Sequence, residues 1–123
     1  RAEKKWNPIN IAIVDSGADL ILFRRQDGAF LGSIDIAIRK ATSSAMIPRS
    51  TRKVGELAYA KDGKLGPRPG VATVDFLVPF AGGLPIRTDK GHLIGAIGIS
   101  GASSDQDEEC AQAAIDSVRD LLN

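Results

Sequence analysis

One cysteine, one histidine and only 5% aromatic residues set the first limits on this 123-residue chain. A lone Cys110 excludes an internal disulfide and any multi-cysteine metal site. A lone His92 likewise excludes a multi-histidine metal centre, although one histidine still suffices as an axial haem ligand. Charge of one sign is also missing: sixteen basic against fifteen acidic side chains leave a formal net charge of +1. The broad basic surface on which nucleic-acid binding depends is therefore not present. The single local excess, Arg49, Arg52 and Lys53, is short, has no interleaved aromatics and reads as a solvated helix start. No apolar run approaches the length that spans a bilayer. No signal-peptide pattern stands in the chain as given. Because it begins at Arg1 rather than Met, removal of an upstream segment stays open, and cytoplasmic location is the default expectation.

What is present fits one domain with a real core, residues 1–123. Ile9, Ile11 and Ile13 alternate against Asn10, Ala12 and Val14, Asp15 to Asp19 is turn chemistry, and Leu20 to Arg25 returns, so a hairpin is expected. Ser33 is placed as the N-cap of a helix whose apolar positions are Ile34, Ala37, Ile38, Ala41, Ala45 and Met46, with Pro48 ending it. Ser50 or Thr51 starts a shorter helix, and the Gly- and Pro-rich stretch from Lys61 to Gly70 reads as a loop. Val71 to Phe80 reads as extended, limited by Pro79 to an edge or a bulge. Leu84 to Arg87 and His92 to Ser100 form a second hairpin with Gly91 at its left-handed position. Ser104 and Asp107 resemble a capping box ahead of a last amphipathic helix. Hairpins dominate and no βαβ unit repeats. The expectation is an α+β fold, an antiparallel sheet of about five strands with helices packed on it.

The chemistry-bearing candidates are few. Along the strand that ends at Ser100, the side chains of Ile94, Ala96, Gly98 and Ser100 share one face that shrinks toward its end. Such a face is either a tight packing seam or a pocket floor. Gly95, Gly98 and Gly101 match no dinucleotide or P-loop fingerprint. The carboxylates Asp105, Asp107, Glu108 and Glu109 then answer the following helix dipole themselves. Met46, Tyr59 and Cys110 join His92 as conceivable iron ligands, Met46 being assigned to the core. No serine has a nucleophile elbow. Arg24, Arg25 and Asp27 gather at the end of the second strand with Lys40 on the next helix, a set able to clamp a small carboxylate.

Several segments then combine into a pattern. Ile-Ala-Ile-Val-Asp15-Ser-Gly-Ala precedes Leu-Phe23-Arg-Arg25-Gln-Asp27-Gly28-Ala29, with Ser33, Lys40-Ala41-Thr42 and Thr51 in order behind it. Gly82-Gly83-Leu-Pro85-Ile, Gly91, Gly95-Ala-Ile-Gly98-Ile-Ser100-Gly101 and Gln106-Asp107 complete it. Over nearly its whole length the chain resembles the GlcG/HbpS-like family, also called the haem-degrading domain family. The resemblance implies a profilin-like α+β fold and a homo-oligomer, from dimer to octamer. It also implies a small-molecule ligand, with haem or a related tetrapyrrole as cofactor and no separate metal site. It places the pocket near Gly82, Gly83, Ser100 and Gly101, with Arg25, Asp27 and Lys40 beside it and Phe80 and Ile94 in apolar contact. Members carry a helix before the first strand, and Arg1 to Pro8 is too short for a full one. Two other readings stand beside this one. In the first, an enzyme of small hydroxy- or oxo-acids uses Arg25 to hold the carboxylate and Lys40 or Asp27 as general base. In the second, the domain is a non-catalytic subunit that stabilises a partner enzyme. Neither nucleic acid nor membrane is an expected partner.

Overall fold

The computed structural model describes residues 5–123. The first hairpin forms from β1 (Asn10–Asp15) and β2 (Leu20–Arg25), closed by Asp15, whose Oδ1 accepts hydrogen bonds from the amides of Gly17 and Asp19. Two helices follow, α1 (Gly32–Met46) and α2 (Thr51–Ala58). A second hairpin, β3 (Gly83–Arg87) and β4 (Leu93–Ser100), leads into α3 (Ser104–Ser117). The strands make one fully antiparallel sheet in the order β2-β1-β4-β3.

Strand alternation divides the core into two layers. Ala12, Val14 and Ala96 meet Ala37, Ala41 and Ala45 of α1 on one face. Ile9, Ile97 and Ile99 meet Ala111, Ile115 and Leu122 on the other, beneath α3. The α1 face is built of small residues because the helix lies almost on the strands. A Cβ at Gly98 would strike the carbonyl oxygen of Ala37 and come within 2.5 Å of the amide nitrogen of Ala41. The shrinking face of β4 is therefore a packing seam, not a pocket floor.

Four strands form instead of about five. Pro69 opens a 3-10 turn over Pro69–Thr73, and the chain from Val74 to Phe80 never joins the sheet. Its backbone partners are side chains of α1 instead. Arg39 donates to the Asp75 carbonyl, the Ser43 hydroxyl donates to that of Phe76, and the Val78 amide donates to Ser43 Oγ.

Helix boundaries also move. Leu31, not Ser33, is the N-cap of α1, and Ser33 is buried in its first turn. Met46, expected in the core, ends α1 half-exposed, and Ile47 turns to extended backbone ahead of Pro48. Of the two candidates Ser50 and Thr51, Ser50 is the cap of α2 and Thr51 its first residue. The capping box of α3 is Ser103 with Gln106, one residue ahead of the predicted pair, because the Asp107 carboxylate is used elsewhere. Gly91 takes φ +84° in the β3–β4 connection. The expectation about residues 1–8 falls partly outside the described residues; residues 5–8 contain no helix.

Candidate functional site

The residues singled out from the sequence divide among three places. Lys40, Gly82, Gly83, Ser100 and Gly101 do converge, at the end of the sheet where β4 runs out, but all are buried. Lys40 is their hub. Its Nζ donates to the Ile99 carbonyl at 2.8 Å and to Asp107 Oδ2 at 3.1 Å, and stands 5.0 Å from the centre of the Phe80 ring. A Cβ at Gly82 would lie 2.5 Å from Lys40 Nζ, and one at Gly83 would lie 2.5 Å from the Lys40 carbonyl. A Cβ at Gly101 would meet the Pro8 carbonyl at the same distance. These glycines make room for a lysine and for the chain that leads into β1, not for a ligand.

Asp107 completes the hub. Its Oδ1 accepts from the Ala102 amide, so one carboxylate ties the β4–α3 turn to α1. Burial pulls the Lys40 ammonium below the ordinary lysine range, and the Asp107 charge offsets part of that shift. An ammonium with its donors spent on a carbonyl, a carboxylate and a ring face has none to spare for a substrate.

Arg25 and Asp27 stand exposed at the opposite edge of the same sheet end. Register puts Arg25, Asn10 and Ser100 in one row across β2, β1 and β4. Arg25 therefore sits two strand spacings, roughly 10 Å, from Ser100. Asn10 lies wholly inside, its Nδ2 donating to the Phe30 carbonyl. Ile94 lies at the other end of β4, six residues or roughly 20 Å of strand from Ser100, and is not brought to the site.

Phe80 is the exception. Its ring covers Lys40 on one side and is 42% exposed on the other. There it lines a surface cavity of about 410 Å³ with Tyr59, itself 48% exposed. Arg52, Glu56, Lys61 and Asp105 supply its charged rim. Arg52 is held by Asp105 and Glu108 of α3, which raises its already high pKa. Lys61 makes no ion pair among the described residues. The close packing of α2 shapes the cavity wall, since a Cβ at Gly55 would collide with the Pro79 carbonyl. Tyr59 was visible in the sequence as a possible iron ligand. Its placement beside Phe80 was not, because it depends on the loop from Tyr59 to Phe80 folding back.

Of the other conceivable ligands, His92 is exposed in the β3–β4 connection and Cys110 is partly buried on α3. Among the described residues no group of three or more His, Cys, Asp or Glu side chains is arranged to hold a metal ion. No helix of the described residues is long and apolar enough to cross a membrane.

Comparison with known proteins agrees with this architecture. A family model described as "Haem degrading protein HbpS-like" matches residues 1–116. An uncharacterized 15.0 kDa protein of Citrobacter freundii is 31% identical over 114 residues, which cover 93% of this chain and 78% of that protein. The corrinoid adenosyltransferase PduO of Salmonella typhimurium is 31% identical over 126 residues. That match takes in 96% of this chain, which spans about a third (34%) of the longer protein. Among solved structures, a PduOC:haem complex superposes with a TM-score of 0.80 at 29% identity, over 94% of this chain and 82% of the other.

Proposed function

Because the chain belongs to the haem-degrading HbpS-like family, we propose that it is a self-assembling domain that binds haem or a closely related tetrapyrrole at the Tyr59–Phe80 cavity. One observation carries the reading. Two half-exposed aromatic side chains and a lysine with no ion pair among the described residues line the same cavity, in a chain with few aromatics to place. A tetrapyrrole asks for a flat apolar contact, a donor to iron and cations for its carboxylates. Phe80 offers the first, the Tyr59 phenol the second and Lys61 the third. The residues present therefore fit one edge of the group. Haem, when bound, would supply the iron chemistry, and Phe80, Tyr59 and Lys61 would be the residues that hold it.

A cavity of about 410 Å³ lies toward the small end of ligand sites. Self-assembly is the means of covering the rest of the ring. Support comes from β2, an edge strand whose Leu20, Ile21 and Leu22 are all exposed. An unpaired apolar edge of this kind is a template for another chain. For the hydroxy-acid enzyme, burial removes Lys40 as the base and leaves only the exposed Asp27 beside Arg25.

A hemin titration followed in the Soret region tests the site. Saturation at about one haem per chain, with affinity at least tenfold weaker in Phe80→Ala, is expected for a ring stacked on Phe80. A non-saturating signal, or one indifferent to Phe80→Ala, overturns the assignment.

A further inference from the structure

A second cavity, of about 390 Å³, lies between the start of α2, the edge strand β3 and the last turns of α3. Four cations line it, Arg49, Lys53, Arg87 and Arg119, and no acidic residue does. In a chain of net charge +1 this is a local concentration of charge. We propose that this cleft binds a small, multiply charged oxyanion, a phosphate- or carboxylate-bearing molecule whose body rests on Leu84 and Ile115.

Three features separate it from an ordinary solvated surface. The first is that the Arg87 guanidinium is clamped in place, donating to the Pro48 carbonyl at 2.9 Å and the Gly91 carbonyl at 3.1 Å. A guanidinium fixed by backbone loses little freedom when it meets an anion. Next, the side chains of Arg49 and Lys53 form no ion pair among the described residues, although Arg52 between them is fully paired with α3. Arg119 has one ion-pair partner among the described residues, the exposed Asp116, which also accepts from Gln112 of the cleft wall. Lastly, α2 has no acidic residue in its first turn, where the helix dipole favours negative charge. Arg49 and Lys53 stand there with the opposite sign. Like charges gathered around a helix start repel one another, and a bound anion relieves all of those repulsions at once.

The apolar floor narrows the ligand class. Leu84 and Ile115 line the cleft beneath the cations, which suits a compact organic body with two or more charges better than an extended polyanion. The cleft is lined by none of the residues that line the Tyr59–Phe80 cavity, so the two sites are tested separately.

The probes are inorganic pyrophosphate and citrate, with sodium chloride at matched ionic strength as the reference. Titration calorimetry should give saturable binding of at least one probe at one site per chain, with a concentration-dependent rise in Tm. The tighter probe names the source chemistry. Arg49→Gln combined with Lys53→Gln should weaken binding at least tenfold. Because the doublet removes repulsion, its Tm without either probe should equal or exceed that of the parent, which separates lost binding from lost folding. Absence of saturable binding for both probes, or equal affinity in the doublet, overturns the proposal.

Discussion

Replacing Asp107 by asparagine should be among the most costly single changes in this fold, for reasons the hub geometry makes explicit. The aspartate supplies two acceptors: Oδ1 to the Ala102 amide at 3.0 Å and Oδ2 to Lys40 Nζ at 3.1 Å. An asparagine of the same shape offers one acceptor and one donor, so either the Ala102 amide or the lysine faces an N–H. The lysine also keeps its charge at a position with 1% side-chain exposure. Breaking a buried ion pair by removing one partner costs about 3–5 kcal/mol. Total stability for a domain of this length is roughly 6–18 kcal/mol. With a urea m-value of about 2 kcal/mol/M, the midpoint should fall by about 1.5–2.5 M. Restoring neutrality with Lys40→Met in the Asp107→Asn background should recover at least about 1 kcal/mol, because no unpaired charge then remains. Urea unfolding of the four proteins in the cycle measures both effects. A loss below about 1 kcal/mol for Asp107→Asn, or strict additivity in the cycle, would refute the reasoning.

The same lysine predicts a pH dependence. Its folded pKa lies below the ordinary 10.5 chiefly through burial, so between those two values the unfolded chain binds a proton that the folded chain has released. The contribution of Lys40 to stability therefore rises with pH across that window and is flat below it. The unfolding free energy of the parent relative to Lys40→Met should rise as the pH approaches 10.5 from below, and a downward trend would contradict the assignment. On the α1 face, Gly98→Ala places a methyl group against helix backbone rather than a flexible side chain. It should cost about 1–3 kcal/mol or more, and a neutral result in thermal unfolding would mean the seam is looser than described. Ile21→Glu on the exposed edge strand should lower the assembly mass seen by light scattering while leaving the monomer's circular dichroism intact. An unchanged mass would move the interface elsewhere.

The parts of the fold that were legible from sequence are those decided within a few residues. The Asp15 turn, the α2 start at Ser50 or Thr51 and Gly91 all act through their own neighbours, and each forms as read. Val71 to Phe80 fails as a strand because Ser43 and Arg39, more than thirty positions earlier, take its backbone groups. No local pattern announces that competition. Ser103 and Ser104 are equivalent caps by composition, and what separates them is the demand of Lys40 on Asp107, 67 residues away. The candidate site shows the same division. The glycines and Ser100 were recognisable as special, but whether close approach serves a ligand or a lysine is a tertiary matter. Alternation gave Ile94 the right face and nothing about how far it lies from Ser100. Tyr59 and Phe80, at the two ends of a long irregular segment, come to line one cavity only once that segment closes.

The most direct test of the account is to map where a tetrapyrrole touches the protein. Zinc protoporphyrin is diamagnetic, so its ring current can be read in the amide spectrum of uniformly ¹⁵N-labelled protein. The account predicts shifts concentrated at Gly55, Tyr59, Ala60, Phe80 and Ala81, with Ile94, Arg87 and Arg119 unmoved. Shifts centred beside Cys110 on α3, at Arg25, or nowhere in particular would contradict it.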